Sequence, residues 1–210
     1  MKKIVIYGAG GFGREVQWLI ESINEVSATW EILGYLDDGV EVGTLIDGYP
    51  VLGGLEKLQE YDSSLAIVCA VGSAKVRKQI IERIKRIGDF QFPSLIAPDV
   101  RMSNSVMMGI GNVICAGNIM TVDIELGDFN ILNLSCTVGH DVKMESFVTV
   151  YPGVNISGCV RLAECVELGT GSKIIQGKNI CKNVIVGAGA VIVKALEVEG
   201  TYVGVPARRL

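Results

Sequence analysis

Stepping by six through the second half of the chain meets an aliphatic residue or methionine every time. The series runs Ile96, Met102, Met108, Ile114, Met120, Leu126, Leu132, Val138, Met144, Val150, Ile156, Leu162, Leu168, Ile174, Ile180, Val186 and Ile192, without one insertion. Two positions before many of these comes a second apolar residue, as at Val100, Val106, Val142, Val148, Val154, Val160, Val166 and Val184. Glycine recurs one position after, at 109, 127, 139, 169 and 187. An amphipathic helix repeats its apolar face every three or four residues and a half-buried strand every two, so neither has period six. A solenoid does: short strands joined by tight corners, each step adding one aliphatic side chain to the interior.

Residues 1–92 follow another pattern. "IVIYGAGGFGREVQWLIESI" reads as a strand, a glycine turn and an amphipathic helix, and Gly8, Gly10 and Gly13 match G-x-G-x-x-G. "ILGYLDD" ends a second strand in Asp37 and Asp38, and "LAIVCAVGSAKVRKQIIERIKRI" is a further strand, loop and helix. This predicts a Rossmann-like α/β domain over residues 1–92 and an all-β solenoid over 93–210. At face value the glycines point to a dinucleotide. The length suffices for only one of the two mononucleotide halves that a dinucleotide fold uses. A tight strand-to-helix turn with no ligand would carry the same glycines.

Composition narrows the classes. The net charge of −4 argues against a nucleic-acid partner. No apolar run approaches the roughly 20 residues a membrane span needs. The run after "MKK" stops at Gly8 and an amphipathic segment follows, so no signal peptide is expected. Six cysteines without C-x-x-C spacing read as reduced, small hydrophobes in a cytoplasmic protein. No cysteine is near His140 in sequence, which weighs against a cysteine nucleophile. With one histidine in the chain, no metal site is expected.

The hexads, together with the ending "GTYVGVPARRL", resemble the hexapeptide-repeat acyltransferases. That resemblance implies a left-handed parallel β-helix with three hexads, 18 residues, to each coil, so residues 18 apart stack in columns. One corner then carries Val122, His140, Gly158, Gln176 and Lys194. A second, mostly small or apolar, carries Pro98, Ala116, Leu134, Pro152, Thr170 and Ala188. The third, largely charged, carries Ile110, Asp128, Ser146, Glu164 and Lys182. His140 thus projects outward beside Asp141, one coil below a glycine. A base for the nucleophile and a backbone N–H for the developing oxyanion are what acyl transfer requires.

The order "YGAGGFGRE", "YLDD", "AVGSAKVRK", "FPSLIAPDV" and then hexads is similar to the NeuD/PglD-type sugar acyltransferases over essentially the whole chain. The resemblance implies an acetyl-CoA-dependent transferase acting on an amino or hydroxyl group of a nucleotide-linked sugar, in surface-glycan or sialic-acid biosynthesis. A solenoid with one smooth and one catalytic edge can set the two against each other in a closed threefold ring, so a homotrimer is expected. The resemblance also implies His140 as general base and the Gly158 N–H as oxyanion donor. Asp141 either fixes the imidazole or faces solvent while a backbone carbonyl orients the ring. Gly10, Gly11 and Phe12 would meet the phosphates and sugar, Asp37 and Asp38 the base or ribose, with Gly72 beside them. Thr149, Gly158, Thr170, Ala188 and Lys194 would line acetyl-CoA. Two departures stand out: Gly11-Phe12 replaces the Gly-His of many relatives, and Thr149 replaces a second active-site histidine. The competing classes are a non-catalytic trimeric nucleotide-sugar-binding scaffold and a nicotinamide oxidoreductase resting on the glycine motif alone. A β-helical carbonic anhydrase fails for want of three histidines.

Overall fold

The computed structural model describes residues 1–210. Apolar runs build the first sheet: β1 (Lys2–Tyr7), β2 (Trp30–Leu36), β3 (Leu45–Ile46), β4 (Tyr49–Gly53) and β5 (Ala66–Cys69), in the order β3-β4-β2-β1-β5. β2 and β5 flank β1 in parallel, β4 is parallel to β2, and only β3 runs antiparallel. Ile4 to Tyr7 and Ala66 to Cys69 are buried without alternation, as strands covered on both faces require. α1 (Gly11–Val26) buries Gly13, Val16, Gln17, Leu19 and Ile20, and α2 (Ala74–Ile87) buries Ala74, Arg77, Ile80, Ile81 and Ile84. Both sets follow the three-and-four spacing of one helix face.

From Leu95–Ile96 onward the strands are mostly two residues long and fall into three parallel sheets of a left-handed β-helix. Between Leu95 and Ile192 every partner lies 18 positions away, as Ile119 with Thr137, Val138 with Ile156, and Ile131 with Thr149; the last parallel pairing, Val184 with Gly200, shortens to 16 and an antiparallel pair ends the stack. Six residues per side are too few for a wide loop, so from Gly111 to Gly189 each corner uses one residue in the left-handed region, three after the interior position. Asp123, Asp141, Cys159 and Asn183 lie there at φ 56–59, alongside Gly117, Gly153, Gly171 and Gly189. Aspartate, asparagine and glycine tolerate this region best. From Ile114 to Ile192 the hexad residues are 5% exposed or less and belong to one apolar cluster. Met102, at the open end of the stack, is 37% exposed. Leu196 and Tyr202 close the other end.

The three faces differ outside. The first presents Leu95, Val113, Ile131 and Thr149, all buried beneath the N-terminal α/β unit. The second presents Arg101, Ile119, Thr137, Asn155 and Lys173. The third presents Met107, Glu125, Lys143, Arg161 and Asn179, all exposed. No helix is long and apolar enough to cross a membrane.

Interior and outward positions should answer differently to truncation. Leu132→Ala, at a fully buried hexad position, is expected to cost about 2–5 kcal/mol in a denaturant titration. Arg161→Ala, on the exposed third face, should stay within about 0.5 kcal/mol. Equal losses would contradict this division of the repeat.

Candidate active site

The corner between the second and third faces holds the only imidazole. Val138 packs inside, and the chain turns out through Gly139 to His140 before Asp141 reverses it at φ 58. Two backbone bonds fix the corner: Asp141 N–H donates to Val122 O (3.1 Å) and Cys159 N–H to His140 O (2.8 Å). His140 Nδ1 lies 2.7 Å from Asp141 Oδ2. Of the two orientations open to Asp141, the structure therefore has the carboxylate on the ring. With Nδ1–H donating to it, Nε2 carries the lone pair.

The ring lies over Gly158. A Cβ there would collide with His140 Nε2, Cε1 and Cδ2, so only glycine leaves the imidazole this seat. The Gly158 carbonyl accepts from Gly177 N–H (2.9 Å), while its own N–H donates to no group within the chain. An exposed proton acceptor thus sits beside an unpaired backbone donor, on a glycine that is buried under the ring itself.

Thr170 and Ala188 are exposed on the corner between the first and second faces, away from His140, Gly158 and Lys194. One chain does not bring these two groups together, because its second face separates them. Lys194 stands exposed on the His140 column, three coils on, roughly 14 Å away at strand spacing.

At the C-terminal ends of β1, β2 and β5 the glycine loop divides into two kinds of glycine. Gly8, at φ +106, and Gly13 pack so closely that a Cβ would strike Ala70 O and Gly8 O. Around Gly10 and Gly11 a Cβ would meet nothing, and both are exposed. Gly10 caps α1 with no side-chain bond, so the first-turn amides face an open cradle with Phe12 half-buried beside it. Asp37 shapes this loop, accepting from Ala9 N–H (2.9 Å) and Gly39 N–H (2.8 Å). Asp38 accepts from Tyr7 Oη–H (3.0 Å) and Leu55 N–H (3.3 Å), with Arg83 at 3.6 Å. Burial and then Asp38 hold the Tyr7 hydroxyl well above its ordinary value. Gly72 is half-buried, in the loop between β5 and α2.

Two expectations require correction. Thr149 cannot line acetyl-CoA in this chain: it is 1% exposed, and its hydroxyl donates to Gly72 O at 2.7 Å. It stands on the covered first face, where it pins the loop of the α/β unit. The second correction concerns Cys159. Although distant from His140 in sequence, it stacks one coil above Asp141, with donor atoms of the three residues all within 4.8 Å. An 18-residue coil makes such residues neighbours.

The pin is larger than Thr149. Arg77, 1% exposed, lies at its centre. Its guanidinium donates to Val71 O (2.7 Å), Gly72 O (3.0 Å), Phe129 O (3.0 Å) and Val148 O (3.2 Å), two carbonyls on each side of the junction. Burial lowers its ionisation to about 10, so it remains cationic at neutral pH. Glu167 adds to the pin by accepting from Ala74 N–H (2.8 Å) and Tyr151 Oη–H (3.2 Å), and Lys78 pairs with Glu164 at 2.7 Å. The faint signal was an arginine on the apolar stripe of α2, in register with Ile80, Ile81 and Ile84.

Arg77→Met should therefore cost far more than its size suggests, about 1–3 kcal/mol for each carbonyl left dry. Lys75→Met, one exposed position on the same helix, should change stability by about 0.5 kcal/mol or less. Similar denaturation midpoints for the two variants would contradict the clasp.

The chain has well-defined relatives. The family described as "PglD N-terminal domain" matches residues 3–84. The acetyltransferase domain of PglB from Neisseria gonorrhoeae, solved with acetyl coenzyme A, is 34% identical with a TM-score of 0.91, covering 100% of this chain and 99% of that one. PerB from Caulobacter crescentus, solved with CoA and GDP-perosamine, is 28% identical with a TM-score of 0.86, covering 99% and 97%. GDP-perosamine N-acetyltransferase of Escherichia coli O157:H7 is 28% identical over 185 residues, 88% of this chain and 82% of that protein.

Proposed function

The chain belongs to the PglD-type sugar acyltransferases of the hexapeptide-repeat class, and from that membership we propose that it transfers acetyl from acetyl-CoA to the amino group of a nucleotide-linked sugar. The observation that carries the reading is the pairing of a carboxylate-held imidazole with the free N–H of Gly158. In this mechanism Nε2 of His140 takes a proton from the acceptor nitrogen as that nitrogen attacks the thioester carbonyl. The Gly158 N–H stabilises the oxyanion, and Asp141 stabilises the imidazolium. Collapse of the tetrahedral intermediate breaks the carbon–sulfur bond, and the proton on His140 leaves with CoA as its thiol. A scaffold has no use for such a pair. The glycine loop suits phosphate as well as a nicotinamide cofactor would need, but the β-helix supplies transfer chemistry and no hydride site.

The acceptor fits the α/β unit. Gly10, Gly11 and Phe12 present the α1 N-terminus to phosphate, where free amides and the helix dipole favour an anion. Asp37 and Asp38 stand at the base or ribose, Asp37 first shaping the loop, with Gly72 near the sugar. Relatives solved or named with GDP-perosamine support a nucleotide-linked amino sugar. Pantetheine runs past Thr170 and Ala188, with Lys194 toward the CoA phosphates.

We further propose a homotrimer in which each site is shared. The α/β unit covers the first face, and the base projects from the corner opposite that face. An acceptor held by one chain therefore meets the imidazole of its neighbour. Ile119, Val122, Ile175 and Val193, each 36–46% exposed along the second face and the His140 corner, give the neighbour an apolar seat. A closed ring matches the two corners without leaving one unpaired. Six unpaired thiols accord with a cytoplasmic location.

Replacing the base tests the reading. His140→Ala removes no interior side chain and should keep the fold and CoA binding while lowering turnover by about 10²–10⁴. Near-native turnover in a folded, CoA-binding variant would refute the assignment. Asp38→Ala should raise KM for the nucleotide sugar and leave acetyl-CoA affinity unchanged; an equal fall in both would contradict the division of labour.

A further inference from the structure

The coil register sets a third donor beside the base. Asp141 and Cys159 occupy the same left-handed corner position in successive coils, at φ 58 and 59, so the thiol stacks over the carboxylate. One donor atom from each of His140, Asp141 and Cys159 lies within 4.8 Å of the others, and all three side chains are exposed. The remaining thiols are buried at Cys69, Cys115, Cys136 and Cys165 or half-buried at Cys181. Cys159 is the one thiol open to solvent, and it stands at the imidazole.

Nitrogen, oxygen and sulfur on three exposed side chains, within 4.8 Å of one another, are the donor set of a three-ligand zinc site. We propose that this corner binds Zn²⁺ reversibly and that occupancy switches off acetyl transfer. On binding, the Cys159 thiol loses its proton to solvent and the thiolate and the Asp141 carboxylate each give the metal one bond. The imidazole gives the third through either nitrogen. Through Nε2, the metal takes the lone pair that would accept the substrate's proton. Through Nδ1, it displaces the hydrogen held to Asp141 and leaves the base without its orienting partner. Neither arrangement can run the mechanism above. The inhibition rests on His140 being the base; the binding does not.

The test separates the two. Co²⁺ added to the full chain, with no substrate, should give a thiolate-to-cobalt charge-transfer band that is absent in Cys159→Ser. In the turnover assay Zn²⁺ should inhibit the native enzyme, and EDTA should restore it. Cys159→Ser should turn over normally without metal, and should need at least about tenfold more Zn²⁺ for the same inhibition, since loss of even an outer-sphere partner costs that much. No thiolate band in the native chain would overturn the site. Equal zinc sensitivity in Cys159→Ser, or undiminished turnover by the zinc-loaded enzyme, would overturn the switch. The cobalt band is read without turnover, so its outcome stands whether or not His140 proves to be the base.

Discussion

The fixed 18-residue coil is the constraint from which the rest follows. Strand pairing joins each residue to its counterpart 18 places on, as at Thr137 with Asn155, so one insertion would rotate every later side chain off its face. The interior needs an aliphatic residue at each sixth position, and each corner needs a residue that accepts the left-handed region. Between those demands the outward positions are free to vary. His140, Gly158 and Cys159 are neighbours because the coil closes on the same corner each time. The imidazole's seat exists because Gly158 has no Cβ.

The second constraint is the junction. A cationic guanidinium with four carbonyl acceptors, two from each side, fastens the α/β unit to one face of the solenoid. Burying a charge is costly unless every donor is engaged, and here the loop carrying Gly72 is among the acceptors. Stability and acceptor positioning thus share one side chain. Phe129 and Phe147, stacked at 5.2 Å and both in the left-handed region, lie at the same contact. Packing against α2 accounts for two bulky residues in corners that elsewhere take glycine or a small side chain such as aspartate, asparagine, serine or cysteine. On the proposed reading the same fastening holds the acceptor loop at the first face, and the imidazole it serves belongs to a neighbouring chain.

Much of this was legible beforehand because it is periodic. The hexads read directly, since one face of every strand must be apolar, and the columns followed once the coil length was taken from the family resemblance. His140 stood out by being alone. What stayed hidden depends on which face the α/β unit covers. Thr149 stands where the family resemblance implies a second active-site histidine, yet its hydroxyl points into the junction. Arg77 differs from Lys75 and Lys78 in sequence only by its register with Ile80, Ile81 and Ile84, which marks a buried position and not the carbonyls it meets. The 19-residue separation of Cys159 from His140 in sequence conceals their adjacency in space. The columns could have exposed that neighbour; the clasp could not have been found without the tertiary placement.

The claim that base and acceptor come from different chains has one direct test, a complementation between two silent variants. His140→Ala lacks the base. Gly11→Glu sets a carboxylate in the open cradle, where a Cβ meets nothing, so the fold survives while phosphate is repelled. Each alone should be nearly inactive. Co-expressed in equal amounts and purified as mixed oligomers, they should recover about a quarter of native turnover, because a random closed ring pairs an intact base with an intact neighbouring acceptor loop at about one interface in four. Mixed oligomers that stay as inactive as either parent would contradict the shared site and return both halves of the chemistry to a single chain.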